Sequence, residues 1–238
     1  HNKVCNITRF VNEPQNTGGK SFAYVWYVSE VNYAWSSLVA GEQLRTLGAL
    51  VPFLWIVTID LPEEVRSRAQ KLGVTMKRSE AVQKGNNYYR FSLNKLKVFT
   101  LVEYDRVVFM DADSLPIRNM DSWFHFPAAD IVAPCSYWEN EPNKFTSFVM
   151  TVRPSMDVYF KLLNYTKTSM KADMGVLNAV IKNKILLPSY YGVLNSEWER
   201  GDRVYHMHEN AKPYIVHFTA KGKPWQHGPG YFKGSNWD

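Results

Sequence analysis

The sequence predicts a single α/β domain built on a mainly parallel sheet. Three observations carry that expectation. Strand and helix signals alternate through the first half of the chain, and two apolar runs, at 53–59 and 107–110, have the length of strands buried on both faces. With 45% hydrophobic and 21% charged residues, the balance is that of a globular protein rather than a disordered one. The 238 residues suit one large domain.

Residues 1–20 are polar, close on Gly18-Gly19, and read as a loosely held lead-in to a domain over 21–238. Residues 22–29, rich in aromatic and β-branched side chains, predict the first strand. Residues 34–46 predict a helix with Leu38, Leu44 and Leu47 among its apolar positions. The run at 53–59 is the second strand. Pro62-Glu63-Glu64 opens a helix, with proline near the first turn and acids at the positive end of the dipole, and Gly73 ends it. A short strand follows at 74–77. Ser92 is the expected cap of the next helix, which carries Leu93, Leu96 and Phe99 on one face. Residues 106–110 form another buried strand, and Asp111-Ala112-Asp113 stands at its carboxyl end. The second half is less regular: strands at 131–133 and 145–152, helices at 156–164 and 173–182, and a late strand at 214–218 that ends near His217. No internal repeat or low-complexity tract is present.

A formal net charge of +6 favours anionic partners and reads as attraction for a phosphorylated ligand. The longest basic cluster, Met76-Lys77-Arg78, is too short for a nucleic-acid arm, so no nucleic-acid partner is expected. No stretch approaches 18 consecutive apolar residues, so no membrane segment is expected in this chain. The chain begins with His1 rather than Met, which is compatible with a signal anchor upstream. Cys5 and Cys135 make no C-x-x-C pair, and Cys135, after an apolar run, is expected to be a buried free thiol. That leans towards the cytoplasm, with a trimmed enzyme of the Golgi lumen as the alternative. Asn6-Ile7-Thr8 and Asn164-Tyr165-Thr166 fit the N-glycosylation pattern.

Four groups of residues carry chemistry. Asp111 and Asp113 lie one residue apart just past a buried strand, at the sheet edge where open α/β sheets bind ligands. Two acids so close repel unless a cation sits between them, and hard oxygens suit Mg²⁺ or Mn²⁺. Such an ion would hold a diphosphate and stabilise the charge on it as it leaves. Ile215-Val216-His217-Phe218, followed by Lys221-Gly222-Lys223-Pro224-Trp225, is the second group. The loop can approach phosphates, Lys223 supplies a point charge, and an imidazole beside two carboxylates favours Mn²⁺ over Mg²⁺. Lys95, on the helix that feeds the Asp111 strand, is the third: it points back at a diphosphate or lies exposed. Asp173 is the fourth, opening a helix in Ala172-Asp173-Met174-Gly175, a position that also fits a simple cap.

These motifs resemble glycosyltransferase family 8, most of all its glycogenin-like members, over about 22–225. Phe-Met-Asp-Ala-Asp at 109–113, Leu-Asn-Lys-Leu at 93–96, the Asp173 and Gly175 pair, and Val-His-Phe at 216–218 with Lys-Pro-Trp at 223–225 carry the resemblance in the family's order. It implies the GT-A fold, a Rossmann-like mixed sheet flanked by helices, with a nucleotide-binding half at about 21–125 and an acceptor half at about 126–238. It implies Mn²⁺, a UDP-sugar donor of galactose or glucose, retention of configuration, and a glycan or glycoprotein acceptor, with a homodimer compatible. Asp111, Asp113 and His217 would hold the metal, with Asp113 also catalytic. Ser29, Tyr33, Lys95, Ala112, Gly222 and Lys223 would bind the nucleotide and its diphosphate. Asp173 would orient the donor sugar at the reacting carbon.

The departures are Met174 for a glutamine, Thr146-Ser147-Phe148 for Asn-Ser-Gly, Cys135 for a sugar-contacting acid, and Ala220 for a glycine. They leave the donor hexose open and bring the chain nearer to members that extend a glycan on another protein, such as the protist cytoplasmic α-galactosyltransferases. Two other readings share these residues: an aspartyl-phosphate phosphatase with Asp111 as nucleophile, and a glycan- or protein-binding module on a catalytically weak transferase fold.

Overall fold

The computed structural model describes residues 19, 21–82, 91–139, 141, 143–198, 213–219 and 223–226. Its main sheet has seven strands. They are β1 (Phe22–Val28), β2 (Phe53–Val57), β3 (Val74–Arg78), β4 (Arg106–Met110), β6 (Ile131–Pro134), β7 (Val149–Val152) and β8 (Lys184–Leu187), in the order β3-β2-β1-β4-β7-β6-β8. A smaller sheet orders β5 (Ser114–Pro116), β10 (Ile215–His217) and β9 (Gly192–Leu194) as β5-β10-β9. The helices are α1 (Val31–Thr46), α2 (Glu63–Lys71), α3 (Met156–Thr168), α4 (Asp173–Val180) and α5 (Asn195–Trp198), with a 3₁₀ helix over Ser92–Thr100.

The period of two along each strand divides the core. On one face Tyr24, Trp26, Phe53, Trp55, Val108 and Met110 pack against Ala34, Leu38 and Leu44 of α1 and Val65 and Ala69 of α2. On the other, Ala23, Val25, Leu54, Ile56, Val107 and Phe109 pack against Leu96 and Phe99 of the 3₁₀ helix, Leu162 of α3 and Leu177 of α4. Every residue of β2 is buried, which is why it reads as a continuous apolar run instead of an alternating one. Strands β1, β2, β3 and β4 are mutually parallel, whereas β7 runs antiparallel to β4 and β6, so the sheet is mixed.

Several expectations change in detail. The segment at 93–99 is a 3₁₀ helix whose N-cap is Phe91, and the Ser92 hydroxyl is buried without a hydrogen-bond partner among the described residues. Strand β7 begins at Val149, and Phe145 makes only an isolated bridge to Cys135. Gly73 does end α2: at φ +78° it takes the left-handed conformation that glycine adopts freely, and its N–H donates to the Gln70 carbonyl. Cys135 is not a free thiol. It is disulfide-bonded and buried, and Cys5 lies outside the described residues. The apolar run before it predicts burial equally well for either oxidation state. Among the described residues, no helix is long and apolar enough to cross a membrane.

Candidate active site

Strands β1 and β4 are parallel neighbours, so their carboxyl ends adjoin. The chain leaves β1 into α1 on one face of the sheet, and it reaches β4 through the 3₁₀ helix on the opposite face. Connections that diverge to opposite faces open a crevice at the carboxyl edge, the usual ligand position in such sheets. Ser29 stands at the end of β1 on this edge, and Asp111, Ala112 and Asp113 at the end of β4.

Asp111, Asp113 and His217 each offer one ligand atom, all within 4.8 Å of one another. His217 Nε2 lies 3.2 Å from Asp113 Oδ1 and 4.0 Å from Asp111 Oδ2. The small sheet brings them together. In it His217 pairs with Ser114 on one side and Leu194 on the other. The Phe218 N–H donates to the Asp113 carbonyl at 2.9 Å, and the Thr219 N–H and hydroxyl donate to Asn195 Oδ1 at 2.7 and 3.0 Å. Lys223 Nζ donates to Asp113 Oδ2 and, at 2.7 Å, to the Phe218 carbonyl.

A second cluster lies deeper. Lys95 is 3% exposed, and its ammonium donates to Asp173 Oδ2 at 2.6 Å, Asp111 Oδ2 at 3.0 Å and Ser147 Oγ at 3.2 Å. Those three bonds account for its three protons. Lys95 is therefore neither the exposed helical lysine nor one aimed freely at a diphosphate; it neutralises the two carboxylates from below. Asp173 opens α4 but does not serve as its cap: Ala172 is the N-cap, and Ser147 Oγ also donates to Asp173 Oδ2 at 2.8 Å.

The carboxylates differ electrostatically. Burial is the largest cause acting on Asp111 and pushes it up to about 6; Lys95 opposes this and Asp113 adds to it. Burial acts on Asp113 in the same direction, but His217 and Lys223 outweigh it and hold the carboxyl well below the usual range. Burial also opposes ionisation of Asp173, and Lys95 overcomes it, with help from Ser147. Lys95 is held protonated, since Asp111 and Asp173 outweigh the cost of its own burial.

The donor set fits a divalent cation. It joins hard carboxylate oxygens to one imidazole nitrogen. Of the other expected residues, Tyr33 packs edge-on against Trp225 at 5.5 Å, and the Ala112 methyl is buried in the apolar core beside Val108 and Met110. Gly222 and Ala220 lie outside the described residues. Gly192 and Asn195 had no signal of their own in the sequence, because each acts through a partner distant in the chain. A cavity of about 750 Å³ opens beside the triad, lined mostly by apolar side chains that include Trp35, Val39, Leu115, Phe218 and Trp225.

The fold is the GT-A glycosyltransferase architecture. Solved structures bear this out: the galactosyltransferase LgtC in complex with donor and acceptor sugar analogues matches with a TM-score of 0.67 at 14% identity, over 85% of this chain and 89% of that one. The WbbM bifunctional glycosyltransferase matches with a TM-score of 0.69 at 15% identity, over 89% of this chain and 48% of that one. In sequence the chain is similar to glucose N-acetyltransferase 1 of Gibberella zeae, 26% identical over 86% of this chain and 53% of that protein. It is also similar to galactinol synthase 2 of Arabidopsis thaliana, 24% identical over 88% and 75%. Glycogenin-1 of Caenorhabditis elegans is 25% identical over 87% of this chain and 51% of its own length. The chain thus spans about half the length of the fungal relative and of glycogenin-1. No family model matches it. The proteins it is similar to include members of glycosyltransferase family 8, the family its motifs resemble.

Proposed function

We propose that this chain is a metal-dependent, retaining hexosyltransferase. It moves galactose or glucose from a UDP-sugar to a hydroxyl of a glycan or glycoprotein and forms an α-linkage. The convergence of Asp111, Asp113 and His217 within 4.8 Å at the carboxyl edge carries the reading. Those residues would hold Mn²⁺, which the imidazole favours over Mg²⁺. When bound, the ion supplies charge stabilisation for the departing diphosphate.

The chain's own residues do the rest. Lys223, already on Asp113, is placed to swing onto a diphosphate oxygen as a mobile point charge. Ser29, at the end of β1, and Tyr33 line the nucleoside side of the crevice. Asp173 is kept ionised by Lys95 and Ser147, so it presents a fixed negative charge towards the sugar carbon as positive charge develops there. With Asp173 held in this way, same-face displacement, in which a diphosphate oxygen takes the acceptor proton, fits the site better than attack by a free carboxylate. The disulfide at Cys135 supports an oxidising compartment such as the Golgi lumen over the cytoplasm.

The test is UDP release from a panel of UDP-sugars, with Mn²⁺ and with chelator. Metal-dependent release from one sugar is expected and identifies the donor. A folded protein that releases UDP from none of them contradicts the reading and favours a binding module.

A further inference from the structure

Phe148 stands where the family resemblance places a glycine, and its ring occupies a defined place. It stacks on the His217 imidazole, with centroids 4.7 Å apart and planes 14° from parallel. It also stacks with Trp138 at 6.3 Å and 22°. The ring is 3% exposed.

Two further contacts make the arrangement specific. A Cβ at Gly192 would fall 2.8 Å from Phe148 Cζ and 3.0 Å from Cε2, so residue 192 must lack a side chain for the ring to lie there. The main chain of Phe148 accepts a 2.7 Å hydrogen bond from the Asp111 N–H. One residue therefore touches two of the three proposed metal ligands, Asp111 through its backbone and His217 through its ring.

Among the described residues, the His217 ring lacks the usual alternative support. A metal-ligating histidine ordinarily donates its second ring N–H to a carboxylate or carbonyl, which fixes the plane of the ring. Here Nδ1 is buried and has no hydrogen-bond partner among those residues. Strand pairing fixes the His217 backbone but leaves rotation of the ring free. The stacked face of Phe148 is the support that the described residues give to the plane of the ring on that side.

We propose that Phe148, seated on Gly192, is a positioning residue for the metal centre: it sets the imidazole plane so that Nε2 faces the carboxylates of Asp111 and Asp113. This rests on the metal reading above. Calorimetric titration of the purified protein with Mn²⁺ alone tests it, with thermal melts in chelator reporting whether each variant is folded. Phe148→Leu keeps the bulk and removes the flat face; Mn²⁺ affinity is expected to fall about tenfold or more, the usual cost of lost outer support. Gly192→Ala displaces the ring from below and is expected to weaken binding as Phe148→Leu does, so it decides the matter should Phe148→Leu fail to fold. A merely structural role would lower the melting temperature and leave the dissociation constant unchanged. Wild-type affinity in folded Phe148→Leu and Gly192→Ala, with binding lost in Asp113→Asn, overturns the positioning role and leaves the metal site standing. A wild-type protein that takes up no Mn²⁺ overturns both.

Discussion

Asp111 and Asp113 are separated by a single residue on one turn of chain, yet their charged partners differ. Asp111 shares the single buried ammonium of Lys95 with Asp173, so burial prevails and its pKa rises to about 6. Asp113 has both His217 and Lys223, so attraction prevails and its pKa falls. Charge count per carboxylate, more than depth, decides which effect wins. The lower cluster lacks one positive charge when both acids ionise, which is the deficit a divalent cation at Asp111 and Asp113 would cover.

The contrast can be broken most severely at Asp113. Asp113→Asn removes a proposed ligand while preserving shape, and turnover is expected to fall by orders of magnitude with the fold intact, measured as UDP release beside a thermal melt. Lys95→Ala attacks the lower cluster instead. It leaves Asp111 and Asp173 buried without their cation, and breaking such a pair costs about 3–5 kcal/mol. Denaturant unfolding is expected to register that loss, whereas Lys223→Ala, which still leaves Asp113 beside His217, is expected to cost distinctly less.

Proton competition should appear at the lower carboxylate. Asp111 has a folded pKa above its ordinary value, so acidification from neutral pH through about 6 protonates it in the metal-free protein. Protonation relieves the burial penalty, so it stabilises the metal-free fold relative to the unfolded chain across that window and, over the same window, withdraws a metal ligand. Mn²⁺ affinity is expected to weaken below pH 6, read by titration at several pH values. Asp113, with its depressed pKa, stays ionised there; its stabilising contribution is lost only at lower pH.

The smallest effect serves as a control far from both clusters. Ser155 caps α3 by accepting the Val158 N–H on its hydroxyl. Ser155→Ala is expected to cost about 1 kcal/mol of stability and to leave Mn²⁺ affinity unchanged.

What could be read from the sequence follows from what is local. β2 and β4 are visible because strands buried on both faces are apolar throughout, and Asp111 and Asp113 are visible because both come from one short turn after such a strand. His217 is legible only through its motif; its place beside Asp113 depends on three-residue strands, too short to show a period. The burial of Lys95 was hidden for a different reason. A lysine on a helix reads as exposed until its partners, 16 and 78 residues away, are known to converge on it. Phe148 looks like a loss of the glycine pattern until Gly192, which makes room for it, is seen below the ring.

The central claim is that His217 joins Asp111 and Asp113 around one divalent cation. Pulsed electron paramagnetic resonance of the Mn²⁺-loaded protein reads this directly. The account expects a nitrogen coupling from a directly bound imidazole in the wild type and its loss in His217→Ala. A nitrogen coupling that persists in His217→Ala, or a bound Mn²⁺ with no nitrogen coupling in the wild type, would contradict it.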